Sequence, residues 1–256
     1  MDRIMRKLIA FPCEGETLAA TLDEAPGTTG LLIVSGGNEI RSGAHRGMAM
    51  LAHRLAATGT PVFRYDRRGI GDSTGDNGEF LSAEPDLIAA AATFRCAALH
   101  VTRLIGFGNC DAASTLALFG RSAGIDRIIL ANPWVVETTD DLPPAAAIRA
   151  RYRTALRDPA TWRRALLGGV NFRKLIRGLK RISDTQSEVL AARVLTALTS
   201  WDTNAAVILA RGDATAIAFA AAAGASIPTE TIDTDSHSFT GAAGAALETA
   251  LRRNLA

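Results

Sequence analysis

The chain has 256 residues and a net charge of +2, with 48% hydrophobic, 21% charged and 5% aromatic residues. That much apolar material excludes a disordered chain or a collagen-like fibre. The length suits one large α/β domain with an insertion, or two small domains. No apolar run reaches the roughly 18 residues needed for a bilayer span. The opening Met-Asp-Arg-Ile-Met-Arg-Lys lacks the apolar core of a signal peptide, so the expected location is cytoplasmic.

Three cysteines, Cys13, Cys96 and Cys110, form an odd and widely spaced set. It offers neither a disulfide framework nor a paired zinc spacing, so no metal and no cofactor are expected. Charge is unevenly spread: residues 145–182 hold eleven Arg or Lys against one acid, Asp158. Nucleic acid is not the expected partner, because this segment lacks aromatic interleaving and any reader motif. A solvated helix face, an anionic substrate or an anionic membrane surface all fit its charge. Nothing in the sequence sets the oligomeric state.

In chain order, residues 6–11 and 18–22 read as an antiparallel edge pair, followed by a short apolar strand at 31–34. Further strands fall at 61–65, 103–107, 127–130, 205–210 and 227–232. Helical patterns lie between them at 47–57, 85–99, 112–120, 215–223 and 242–254. Strands alternating with helices predict βαβ units and a mostly parallel sheet flanked by helices. Residues 135–201 break this rhythm with helix-like pieces and no strand signal. Because ligand sites lie beyond the carboxyl ends of parallel strands, this stretch is expected to be a helical lid over a core of 1–134 and 202–256.

The stretch Leu-Ile-Gly-Phe-Gly-Asn-Cys-Asp-Ala-Ala-Ser at 104–114 runs a strand directly into a helix. It fits a nucleophile elbow, with Cys110 where serine is more usual. The turn needs small residues two before and two after the nucleophile, here Gly108 and Ala112. A helix starting at Asp111 aims backbone N–H groups and the positive end of its dipole at the sulfur. The alternative is that Cys110 is simply a small buried residue at a strand end.

A thiol nucleophile needs a base, and the base an orienting acid. Of His45, His53, His100 and His237, only His237 follows Cys110, in a polar loop before the last helix. Asp213, just past the strand at 205–210, is the favoured acid; its bland reading is a helix N-cap. Asp140 and Asp141 are in reserve, while Asp235 stands too near His237 in sequence. For the oxyanion, the Asp111 N–H is one expected donor and the Gly37 N–H the other, with Asn38 as second choice. Asn38 and Arg41 also fall where a substrate pocket wall is expected, and His45 suits a helix start or pocket wall. The run Asp-Arg-Arg-Gly-Ile-Gly-Asp-Ser at 66–73 lacks both the P-loop ending and the dinucleotide spacing, so it reads as a structural turn.

Together these residues resemble the α/β-hydrolase superfamily. More narrowly, Val-Ser-Gly-Gly at 34–37, residues 41–46 and 63–73, and Gly-Asn-Cys-Asp-Ala-Ala-Ser at 108–114 resemble the type-1 exosortase A system-associated hydrolases of bacteria. The likeness continues through Arg211-Gly-Asp213 and residues 236–239 and is weakest in the 135–201 stretch. At the histidine this chain reads Asp-Ser-His-Ser-Phe, where that family more often has Asp-His-Thr-Phe. The resemblance implies a cytoplasmic, cofactor-independent hydrolase linked to exopolysaccharide export. Cysteine elbows also resemble those of dienelactone hydrolases and polyhydroxyalkanoate synthases. The expected activity is therefore hydrolysis of a small ester or thioester through Cys110, His237 and Asp213. Acyl transfer to an alcohol or saccharide, or a non-catalytic scaffold of the export system, stand as alternatives.

Overall fold

The computed structural model describes residues 5–136 and 185–256. Their backbone forms one eight-stranded sheet: β1 (Arg6–Cys13), β2 (Glu16–Asp23), β3 (Thr29–Val34), β4 (Val62–Tyr65), β5 (Arg103–Asn109), β6 (Arg127–Ala131), β7 (Ala205–Ala210) and β8 (Thr229–Ile232). The spatial order is β1-β2-β4-β3-β5-β6-β7-β8. The edge pair expected at the start is present, since β1 pairs antiparallel with β2 and β2 antiparallel with β4. All remaining pairs are parallel, as the strand–helix alternation predicts. The β1–β2 hairpin closes through Glu14 and Gly15, at φ 49° and 88°. Two consecutive positive φ values match the right-handed twist of the strands, and glycine takes the second without strain.

The described helices are α1 (Gly47–Ala56), α2 (Glu84–Ala97), α3 (Asp111–Phe119), α4 (Thr185–Trp201), α5 (Ala214–Ala223) and α6 (Ala242–Leu255). The central strands are buried on both faces, which is why they read as unbroken apolar runs rather than alternating ones. Successive side chains still point to opposite sides. Leu31, Ile33, Ile105, Phe107 and Ile129 share a core with Leu51 and Leu55 of α1 and Leu247 and Leu251 of α6. Leu32, Val34, Leu104, Ile128 and Leu130 belong to a second core with Phe94 of α2, Leu116 of α3 and Phe219 of α5. Each such fully buried side chain contributes roughly 1.5–3 kcal/mol.

Of the stretch expected to form a lid, residues 137–184 lie outside the described residues, and with them the reserve acids Asp140 and Asp141. Its end, α4, sets Leu190, Val194, Leu198 and Trp201 into the second core, where Trp201 Nε1 donates to Ala117 O at 3.0 Å. Among the described residues, no helix is long and apolar enough to cross a membrane.

Because β3, β5, β6, β7 and β8 run parallel, their carboxyl ends lie along one edge of the sheet. That edge receives residues 35–40 after β3, Cys110 after β5, Asn132 after β6, Asp213 after β7 and the loop before α6 after β8.

Candidate active site

Cys110 sits between β5 and α3 with φ 62° and ψ −127°. A residue with a Cβ occupies that region at a cost of about 1–3 kcal/mol, so its surroundings must hold it there. They do so through the main chain. Cys110 N donates to Ala131 O at 3.0 Å, and Cys110 O accepts from Ala113 N at 3.1 Å and Trp134 N at 3.2 Å. The need for small neighbours is physical: a Cβ on Gly108 would lie 2.7 Å from the Ala112 carbonyl carbon. Ala112 itself is wholly buried.

Asp213, three residues past β7, caps α5, with Oδ2 accepting from Ala216 N at 3.0 Å. The other oxygen of the same carboxylate, Oδ1, lies 2.9 Å from His237 Nδ1. Burial favours the neutral acid. The His237 hydrogen bond and the Ala216 N–H outweigh it and hold the Asp213 carboxyl below its usual range. The Cys110 side chain stands close enough to His237 to act on its titration. The Asp213 hydrogen bond and then the neighbouring Cys110 side chain push the imidazole from its ordinary 6.5 up to about 10, against the effect of burial. The structure therefore brings together Cys110, His237 and Asp213, which are widely separated along the chain.

Two asparagines hold the histidine loop from below, and sequence reasoning missed both. Asn109 Nδ2 donates to His237 O at 3.1 Å, and Asn132 Nδ2 to the same oxygen at 3.3 Å. Asn132 is completely buried at φ 44°, in the left-handed region that asparagine tolerates better than most residues. It also donates to Asn109 Oδ1 at 3.1 Å and accepts from Ala210 N at 2.8 Å. The only sequence signal was a polar residue directly after an apolar strand.

The loop after β3 lies against the elbow, where a Cβ on Gly36 would come within 2.7 Å of Asn109 O. Asp111 opens α3, whose first N–H groups have no partner within the helix. Gly37 has φ 54°, and its N–H donates to Asp111 Oδ1 at 2.7 Å. In this arrangement the expected oxyanion donor is engaged by a neighbouring carboxylate. Arg67, 4% exposed, donates through Nη2 to Gly37 O and stands 3.5 Å from Asp111 Oδ2. Glu39 feels the charges of both His237 and Asp111, and burial raises its carboxyl above the ordinary value.

The other expected residues have polar partners of their own. Asn38 Oδ1 accepts from Asn77 Nδ2 at 3.0 Å. Arg41 commits its guanidinium to Asp66, to Asp72 at 2.8 Å and to Thr21 at 3.1 Å. It lines a cleft of about 260 Å³ with Arg6, Arg46 and Arg64. The Asp66–Ser73 run is the structural turn its sequence suggests: Asp72 N donates to Asp66 Oδ2 at 3.1 Å and Ser73 Oγ to Asp66 O at 2.7 Å. His45, His53 and His100 are exposed, and His45 lines a cleft of about 450 Å³ with Met48, Met50 and Phe239. Cys13 is buried, and burial together with Asp86 pushes its thiol up to about 11. Among the described residues, no group of three or more His, Cys, Asp or Glu stands close enough to hold a metal ion.

No family model matches the chain, and no curated protein matches it. Solved structures do. An esterase of Pyrococcus furiosus superposes with a TM-score of 0.64 at 15% identity, over 98% of this chain and 90% of that one. An α/β serine hydrolase of Xanthomonas campestris, described as having no lid, gives 0.59 at 14% identity over 98% and 93%. A thioesterase domain of the curacin biosynthetic pathway gives 0.58 at 14% over 98% and 100%. The fold is that of the α/β-hydrolases. In α/β-hydrolases the nucleophile, acid and histidine follow one another along the chain, each past its own strand. Cys110, Asp213 and His237 stand in that order after β5, β7 and β8.

Proposed function

We propose that this α/β-hydrolase fold carries a cofactor-independent acyl hydrolase of small esters or thioesters, working through Cys110, His237 and Asp213. The observation that supports the reading best is His237, whose Nδ1 lies 2.9 Å from Asp213 Oδ1 and whose proton is held by the neighbourhood of both Asp213 and Cys110. The motif resemblance adds the exopolysaccharide-export setting and a cytoplasmic location.

The chemistry follows from the charges. With its imidazole raised to about 10, His237 is protonated at neutral pH and faces the Cys110 sulfur as a cation. The Cys110 sulfur, its proton already passed to His237, attacks the substrate carbonyl carbon, forming a C–S bond and placing the negative charge on the carbonyl oxygen. As the oxyanion collapses, the C–O bond to the leaving group breaks, and His237 gives that oxygen its proton. The product is an acyl-thioester on Cys110. His237, now neutral, takes a proton from water as the hydroxyl attacks the thioester carbonyl. The C–S bond then breaks and releases the acid. Asp213 keeps its charge throughout and fixes the imidazole's orientation. The Asp111 N–H is one oxyanion donor and the Gly37 N–H the second.

The test is intact-protein mass after mixing with a p-nitrophenyl short-chain ester, with nitrophenol release followed alongside. An acyl adduct and turnover that both vanish in Cys110→Ala support the mechanism. Equal release from native protein and Cys110→Ala, with no adduct, removes it. An adduct that clears only when an alcohol is added moves the reading to acyl transfer.

A further inference from the structure

The Gly37 N–H is the one oxyanion donor of the proposed mechanism that already has a partner: Asp111 Oδ1, at 2.7 Å. The Asp111 carboxylate pairs with the Arg67 guanidinium, so this is a charge-assisted bond of the stronger kind. A carboxylate there opposes the reaction twice. It removes one of two donors, and its charge repels the negative charge that develops on the carbonyl oxygen.

The carboxylate has an alternative partner within reach. Arg67 is buried behind the loop, and its Nη2 bonds Gly37 O while forming a long ion pair, 3.5 Å, with Asp111 Oδ2. Arg67 Nη1 is buried with no partner among the described residues. An arginine fork so placed takes a carboxylate bidentately with little movement. Gly37 is held on both sides, since Asp111 accepts from its N–H and Arg67 donates to its carbonyl. A shift of Asp111 onto Arg67 frees the N–H while the Arg67–Gly37 bond keeps the loop in place.

We infer that the Asp111 carboxylate is an internal occupant of the oxyanion hole, holding the Gly37 N–H until an incoming carbonyl oxygen displaces it onto Arg67. The inference rests on the reading of Cys110 and Gly37 given above. Asp111 thereby sets how reactive a carbonyl must be to enter: activated esters and thioesters displace the carboxylate more readily than unactivated ones.

The experiment compares native protein, Asp111→Leu and Asp111→Ala for the rate of Cys110 acylation by p-nitrophenyl acetate in single turnover. Melting curves establish that each variant is folded, and the similarly shaped Asp111→Leu, which has no acceptor, covers the case in which Asp111→Ala is not. Losing one oxyanion donor slows acyl-transfer enzymes by roughly 10²–10³-fold, so freeing one here is expected to speed acylation by on the order of tenfold or more. A Cys110 adduct in the variants alone supports the inference in its strongest form. Equal or slower acylation in both folded variants overturns it and makes Asp111 a positioning group for the loop. Absence of an adduct in all three proteins removes the Cys110 mechanism instead, which separates the two failures. The Gly37 amide proton gives a readout independent of activity. It is expected to lie downfield in native protein and move upfield in Asp111→Leu, and an unchanged position overturns the clamp.

Discussion

Asn132, buried at the end of β6, donates to the main-chain oxygen of His237 at 3.3 Å. This bond joins the sheet to the loop that carries the candidate base, and Asn109 reinforces it from β5 at 3.1 Å. The asparagine side chains thus set the height of the histidine above Cys110, whereas Asp213 sets the orientation of its ring.

Asn132→Ala removes partners from Ala210 N, Asn109 Oδ1 and His237 O, and leaves a buried N–H without an acceptor. The expected loss is about 2–3 kcal/mol of stability, read as a lower denaturation midpoint in urea. Ester turnover at a temperature where the variant is folded is expected to fall by on the order of tenfold or more. A variant that loses stability but keeps native turnover would show that Asn132 supports the sheet alone.

Asp213 serves a helix and a histidine with different oxygens, so two substitutions separate the roles. Asparagine is as good an N-cap as aspartate, and Asp213→Asn is expected to retain most of the helix stabilisation. Asp213→Ala is expected to cost about 1 kcal/mol more. Both lose the charge facing His237, and both are expected to lower turnover by roughly 10²-fold or more. Thermal melts and ester assays run on the pair distinguish these effects.

His237 provides the pH signature. Its folded value of about 10 lies above its ordinary 6.5, so the folded protein holds the extra proton more tightly. That contribution to stability is fully present below about 6.5 and is lost as pH rises towards 10. Urea midpoints in native protein are therefore expected to fall across that window, and to fall less in His237→Gln. Proton NMR of the His237 ring is expected to titrate at lower pH in Cys110→Ala, because the neighbouring Cys110 side chain helps hold the proton. An unchanged titration would mean that Asp213 alone sets it.

Much of this architecture was readable before any coordinates, for particular reasons. Strands buried on both faces announce themselves as runs such as Leu31-Leu32-Ile33-Val34, and the elbow is marked by Gly108 and Ala112, whose size is dictated by contact. β8 was less legible: only Ile232 of its four residues is buried, and the strand begins at Thr229 rather than at 227. What escaped was polar and cooperative. Asn132 matters because three strand ends and one loop meet at its side chain, and no local pattern encodes such a meeting. Asp111 was legible as a backbone donor, yet its carboxylate acts on a glycine 74 positions away. Arg67 lay hidden inside a turn whose glycines drew attention to backbone shape.

The strained backbone at Cys110 yields a further test. Glycine accepts φ 62° and ψ −127° without the cost borne by a residue with a Cβ. Cys110→Gly and Cys110→Ala are both expected to lack the acyl adduct, but the glycine variant is expected to be the more stable by about 1 kcal/mol. Equal melting temperatures for the two would show that the elbow carries no strain.

That cost also bears on what the fold must supply at this position. Any side chain at position 110 is held against a standing thermodynamic preference for glycine, and the hold comes from the main-chain bonds of Cys110 to Ala131, Ala113 and Trp134. Loosening the end of β6 or the first turn of α3 would therefore relax the elbow before it disturbed the rest of the sheet.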